Sequence, residues 1–132
     1  MKEIVAEVIS NETVAPGCRR MVLDAPEAAC AEPGQFVHVL CGETGYPLLR
    51  RPFSVSDAAG GRITLLYRVA GTGTRLLSQK QKGDCVNLLG PLGKGLPLEQ
   101  IRSRLVLLGG GLGVAPMVLA ARRAAERGIE TV

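Results

Sequence analysis

Up to about residue 98, glycine and proline punctuate the chain so closely that no long helix fits between them. Pro16-Gly17, Pro33-Gly34, Gly60-Gly61, Lys82-Gly83-Asp84 and Gly90-Pro91 separate short runs of aliphatic and β-branched residues. Those runs are Ile4–Ile9, Cys18–Asp24, Gln35–Leu40, Pro52–Ser56, Arg62–Val69 and Cys85–Leu89. Six short strands at near-regular spacing predict a small antiparallel β-barrel. Gly60-Gly61 has the form of a two-residue hairpin turn. Thr74–Lys80 reads as one short helix, with Gly73 just before it.

The pattern then changes. Arg104–Leu108 is a compact apolar run, as expected of a buried parallel strand. A glycine loop follows, then a helix over Val114–Arg127 stopped by Gly128, then the start of another strand at Ile129–Val132. The fold class expected is mainly β: a six-stranded barrel over residues 1–98, then, over 99–132, the first βα unit of an incomplete α/β nucleotide-binding domain. One βαβ unit does not make a doubly wound sheet, so the second region is read as a fragment of a longer domain.

Composition narrows the function classes. Aromatics are 3% with no Trp, so the core must be built from Val, Leu, Ile and Ala. The net charge of +4 is dispersed, and no basic run is interleaved with stacking aromatics. Nucleic-acid binding is therefore disfavoured, whereas a phosphate-bearing cofactor suits the same charge. Cys18, Cys30, Cys41 and Cys85 match no zinc or iron–sulfur spacing and are expected to be free, mostly buried thiols. Met1-Lys2-Glu3 leads directly into a strand-like run and the apolar stretches are too short to span a bilayer. A cytoplasmic protein without membrane association is the expectation.

Four segments carry candidate chemistry. In Arg51-Pro52-Phe53-Ser54, a cation, an apolar face and a hydroxyl donor fall within four residues, as a flavin dinucleotide requires. On an alternating strand Arg51 and Phe53 share one face, and Pro52 and Ser54 the other. The same residues also suit the start of a strand with a solvated Arg and a core Phe. Leu66-Tyr67-Arg68 leads into Gly71-Thr72-Gly73-Thr74, small residues at a helix N-terminus, where backbone N–H groups attract phosphate. Thr72 or Thr74 suits an ordinary helix cap equally well. Gly90–Gly95 is a turn-rich exit from the sixth strand, and Lys94 within it is more simply a solvated lysine. Gly109-Gly110-Gly111-Leu112-Gly113-Val114-Ala115-Pro116 fits G-x-G-x-G-x-x-P rather than the dinucleotide fingerprint, though strand, loop and helix are in the right order. No Ser/His/Asp or Cys/His nucleophile pattern is evident. His38, the single histidine, sits mid-strand, a core or surface position rather than a catalytic one.

Taken in this order, the motifs resemble the ferredoxin–NADP reductase superfamily, and within it the electron-transfer subunits of class 1B dihydroorotate dehydrogenases. The similarity runs through Arg51–Ser54, Tyr67-Arg68-Val69, Gly73–Ser78, Gly90–Leu98 and Gly109–Pro116. It implies an FAD-binding barrel in which Arg51, Pro52, Phe53 and Ser54 line the flavin. Leu66, Tyr67 and Arg68 would contact its outer portion, and Gly73 and Thr74 would hold the pyrophosphate. It implies an NAD site begun by Gly109, Gly110, Gly111 and Gly113 but incomplete in this chain. Electrons would pass from the FMN of a catalytic dihydroorotate dehydrogenase subunit, through a [2Fe–2S] cluster and this FAD, to NAD. The four cysteines here do not have that cluster's spacing, and family members run about twice as long. The chain alone is therefore not expected to be active, and self-association through an uncovered Val114–Arg127 helix is expected. Two alternatives remain: the flavin subunit of a sulfide dehydrogenase or NADH-dependent ferredoxin:NADP oxidoreductase, and a non-enzymatic barrel that binds a protein partner.

Overall fold

A computed structural model describes residues 2–43 and 45–132. Six strands form the barrel: β1 (Lys2–Ala15), β2 (Cys18–Asp24), β3 (Phe36–Leu40), β4 (Arg51–Ala59), β5 (Arg62–Arg68) and β6 (Cys85–Leu92). Around the wall they run β1-β2-β5-β4-β3-β6, all pairs antiparallel, and β6 pairs back onto β1 to close it. The alternation expected of half-buried strands runs through β2, β3, β5, β6 and the first half of β1. Ile4, Ala6 and Val8, Met21 and Leu23, Val37 and Val39, Ile63 and Leu65, and Val86 and Leu88 are all buried in one cluster. The six-stranded barrel read from the sequence is the observed one. Gly60 and Gly61 have φ of 58° and 75°, the left-handed pair that a tight β4–β5 hairpin demands.

The strand limits differ from expectation in two informative places. β1 continues past Ile9 through the polar run Ser10–Thr13, because it pairs with β2 as far as Ala15↔Cys18. Val8 faces Leu23 but Ser10 faces Val22, so one extra residue is inserted as a β-bulge. The bulge reverses the side-chain alternation and turns Asn11 to the same face as Met21. At the other end, β6 runs through Gly90-Pro91 to Leu92 rather than leaving as a turn at Leu89. Gly90 is required there by close approach. A Cβ on it would lie 2.8 Å from Val37 Cγ1 and 3.3 Å from the Phe36 carbonyl oxygen.

Helix α1 (Thr72–Gln79) begins two residues before the expected start, with Gly71 as its cap. Its Leu77 is fully buried and belongs to the barrel's apolar cluster, so α1 is packed onto the barrel rather than lying free beside it. The last region forms a strand–helix–strand unit: β7 (Arg104–Leu105), α2 (Ala115–Glu126) and β8 (Glu130–Thr131), the two strands parallel. Helix α2 packs on β4 through contacts that include the Arg122–Asp57 ion pair at 2.7 Å and Arg123 Nη2 donating to the Ala58 carbonyl at 3.3 Å. Leu119 joins the same apolar cluster as the barrel. The expected strand Arg104–Leu108 is shorter and is not buried: Val106 is 60% and Leu108 85% exposed. The reason is that β8 is the one described neighbour of β7 and pairs with two of its residues, which leaves the rest of the run without a ladder. No described helix is long and apolar enough to cross a membrane.

Leu77→Ala would leave a cavity where α1 meets the barrel core. The expected cost is about 2–5 kcal/mol, the range for a fully buried leucine. Denaturant unfolding checks it, and a loss below about 1 kcal/mol would show that Leu77 does not anchor α1.

Candidate functional site

Arg51 opens β4 opposite Val39 of β3. Its Nη1 donates to the carbonyls of Leu49 at 2.8 Å and Arg50 at 3.4 Å, which folds the side chain back along its own segment. Cys41 follows that Val39 by two residues, just past the end of β3. Burial pushes the Cys41 thiol pKa up, and the Arg51 guanidinium opposes the shift. Gly73, in the first turn of α1, reaches the same place: a Cβ on it would be 3.4 Å from Cys41 Cβ and Sγ and 3.5 Å from Pro47 Cγ. Cys41 therefore marks where the end of β3, the segment leading into β4 and the first turn of α1 converge. The first turn of α1, which carries Gly73, thus packs on the end of the strand whose Val39 pairs with Arg51.

The start of α1 is built by Thr74. Its Oγ1 accepts from the N–H groups of Ala70 (2.9 Å) and Gly71 (3.0 Å) and donates to the Gly71 carbonyl (3.0 Å). With the hydroxyl committed to the loop, Thr74 offers an anion its backbone N–H. Thr72, Gly73 and Thr74 form the first helical turn, whose N–H groups have no acceptor within the helix. Among the described residues, Arg51, Arg68 and Arg75 pair with no carboxylate. Unpaired N–H groups at a helix start and guanidiniums without a carboxylate partner are the kinds of donor that a pyrophosphate takes.

Phe53 is half-buried and packs against the barrel core, its ring edge-on to Tyr67 with centroids 5.7 Å apart. Pro52 and Ser54 point to the opposite side of β4, with Ser54 paired to Phe36. The Gly90–Gly95 segment packs at this end, since a Cβ on Gly93 would meet the Phe36 ring at 3.0 Å. Lys94 is exposed. Tyr67 is 2% exposed and its hydroxyl donates to Asn11 Oδ1 at 2.9 Å, so its side chain faces the core. Leu66 and Arg68 are the members of that trio on the outer face of β5. Leu66 lines a cleft of about 570 Å³ with Val22, Ser56, Asp57, Thr64 and Val118, between the barrel wall and α2. Gly109, Gly110, Gly111 and Gly113 are exposed, Gly111–Val114 forms a 3-10 turn that runs into α2, and that turn touches β5.

Among the described residues no group of three or more His, Cys, Asp or Glu side chains stands ready for a metal. All four cysteines are free, and Cys41 is the single buried one; Cys30 and Cys85 are exposed because they sit on a loop and on the outer face of β6. The expectation of mostly buried thiols is therefore corrected. His38 lies on β3, half-buried, its ring centroid 5.5 Å from that of Phe36. Three contributors were not singled out from the sequence: Cys41, the Asp57–Arg122 pair and Asn11. None sits in a motif, and Asn11 lies in a polar run that reads as the end of a strand.

No family model matches the chain. Curated relatives do. The chain is 49% identical over 116 residues to the "Dihydroorotate dehydrogenase B (NAD(+)), electron transfer subunit" of Desulforamulus reducens, covering 86% of this chain and 44% of that protein. It is 43% identical over 130 residues to the protein of the same name from Geobacillus thermodenitrificans, covering 95% and 51%. The chain thus spans about half the length of the curated relatives it matches. Among solved structures, an NADH-dependent reduced ferredoxin–NADP oxidoreductase superposes with a TM-score of 0.86 at 29% identity, over 97% of this chain and 46% of that one. A ferredoxin–NADP reductase from Neisseria gonorrhoeae, solved with bound FAD and NADP, superposes with a TM-score of 0.80 at 21% identity, over 98% and 55%, and shows the shared fold.

Burial raises the Tyr67 pKa, and its hydrogen bond to Asn11 and the nearby Arg19 partly offset this. The neutral phenol is thus favoured in the folded protein. Its contribution to stability is complete below the free tyrosine pKa of about 10 and is lost as pH rises from there through the raised folded value. Tyr67→Phe is expected to cost about 0.5–1.5 kcal/mol at neutral pH and to lose less stability than the parent above pH ~10. Chemical unfolding across that range checks both parts; parallel alkaline limbs would remove Tyr67 from the account.

Proposed function

We propose that this chain, which belongs to the family of dihydroorotate dehydrogenase B electron-transfer subunits, is the flavin-binding part of such a subunit. The observation that carries the reading is the packing of the first turn of α1 on Cys41 and Pro47, at the end of the strand whose Val39 pairs with Arg51. Gly73, Thr74 and Arg51 would hold the pyrophosphate of FAD through backbone N–H groups and the guanidinium. Arg51–Ser54 of β4 would line the ring system, Phe53 with its half-buried face and Ser54 from the other side of the strand. Leu66 and Arg68 would contact the outer portion by side chain, and Tyr67 through its backbone. A bound flavin supplies the electron-carrying chemistry, and the protein supplies placement, charge and exclusion of water.

Gly109, Gly110, Gly111 and Gly113 would take the phosphates of NAD; the turn Gly111–Val114 touches β5, the strand that carries Leu66 and Arg68. We divide the chain accordingly into a flavin-binding barrel, 1–98, and part of a nucleotide-binding domain, 99–132. The partner in this reading is the FMN-containing catalytic subunit of dihydroorotate dehydrogenase, and the electron acceptor is NAD. A [2Fe–2S] centre would have to be held outside this sequence. A second reading, the flavin subunit of an NADH-dependent ferredoxin–NADP oxidoreductase, is favoured by the superposition at a TM-score of 0.86. Co-purification with an orotate-forming partner supports the first reading, and with a glutamate-synthase-like partner the second.

The test is the visible absorption spectrum after incubation with FAD and desalting. A retained flavin band is expected, and Arg51→Ala should weaken FAD binding by about 1–3 kcal/mol, the range for a lost charge-assisted hydrogen bond. Unchanged affinity in that variant would remove Arg51 from the site and favour a barrel that binds a protein partner instead.

A further inference from the structure

We propose that Asn11, which belongs to none of the motifs, is a positioning residue for the flavin site; the inference rests on the reading of that site given above. Every polar position of its side chain is used. Nδ2 donates to the carbonyls of Leu77 at 3.0 Å and Lys80 at 2.9 Å, both at the C-terminal end of α1. Oδ1 accepts from the Tyr67 hydroxyl at 2.9 Å and from Arg19 Nε at 3.1 Å. Arg19 Nη2 also donates to the Asn11 carbonyl at 2.5 Å, which fixes the backbone that carries the amide.

These bonds join the two elements that carry the site. α1 has eight residues, too few to hold an orientation by helix propensity alone. Its direction is set by what grips it: Leu77 in the core, Thr74 at the start and Asn11 at the end. A helix of that length is a rod about 12 Å long, so a tilt at the end held by Asn11 displaces the N–H groups at the other. Through Tyr67, whose ring meets Phe53 edge-on, the same amide also braces the strand carrying Arg51–Ser54. Asn11 thus sets the first turn of α1 relative to β4 and touches the cofactor through neither of its own groups.

The chemistry of the amide lets its two halves be separated. Asn11→Asp keeps acceptors for Tyr67 and Arg19 but loses both donors, and it turns a carboxylate oxygen toward two carbonyls. Tyr67→Phe removes one bond from the other half and leaves the α1 bonds in place. Riboflavin, which has no phosphate, reports on the β4 half alone, whereas FAD reports on both.

The experiment measures dissociation constants for FAD and for riboflavin, with backbone hydrogen exchange over α1, in the parent chain and in the variants. Asn11→Asp is expected to raise the FAD constant at least ~10-fold, hold the riboflavin constant within about twofold, and speed exchange in α1. Tyr67→Phe is expected to leave α1 exchange unchanged. If the Asp variant does not fold, Asn11→Ser, too short to reach the α1 carbonyls or the Tyr67 hydroxyl, should weaken FAD by a larger factor than riboflavin. Unchanged FAD binding, or FAD and riboflavin weakened in equal proportion, would overturn the proposal, the second result meaning that Asn11 only supports the fold. If the parent chain binds neither flavin, the flavin reading itself falls, and a change in α1 exchange would then show an anchor without a flavin site.

Discussion

The pairing of β1 with β6 is the constraint on which the rest of the molecule depends. It joins the first strand of the barrel to the last, from Lys2↔Gly90 to Glu7↔Cys85, and so removes both open edges of the sheet. Only a closed wall gives Ile4, Ala6 and Val8 a dry interior shared with Val86 and Leu88. That enclosure matters because the chain has few aromatic side chains to fill a looser core. The seam is also tied on its outer side. Glu3 Oε1 accepts from Asn87 Nδ2 at 2.9 Å and from Arg50 Nη2 at 2.8 Å, while Arg50 Nη1 donates to the Asn87 carbonyl at 3.3 Å. Closure thus reaches directly to the residue that precedes Arg51.

From the closed barrel the site follows by geometry. α1 can be held against the barrel only where Leu77 finds an interior to enter and Asn11 finds the carbonyls at the helix end. Its first turn then comes to lie against Cys41 and Pro47, past the end of the β3–β4 pairing that sets Arg51 opposite Val39. The candidate site is a product of two packings, helix on barrel and strand on strand, and neither alone would bring the first turn of α1 to the strand end that faces Arg51. Helix α2 makes a second junction of the same kind. Its Arg122–Asp57 pair and buried Leu119 seat it on β4, which leaves the glycine loop against β5. Partial burial makes that ion pair more useful as a register pin than as a source of stability.

Much of this was legible beforehand. Gly/Pro punctuation and two-residue alternation determined six short strands, their faces and the Gly60-Gly61 hairpin, because turn chemistry and burial act over a few residues. The ordered motifs from Arg51 to Pro116 determined the family and named the residues of the proposed site. What tertiary structure alone decided is the role of residues whose meaning is long-range. A single inserted residue near Ile9 reverses the alternation of β1 and sets Asn11, which lies past the expected strand end, on the same face as Met21, and no local signal announces a bulge that the partner strand imposes. Tyr67 sits in a motif, yet its side chain is taken by the core, because Asn11, 56 residues away in sequence, offers its hydroxyl an acceptor. Arg104–Leu108 has the sequence of a buried strand and is largely exposed, because burial of a parallel strand depends on neighbours that its own residues cannot supply.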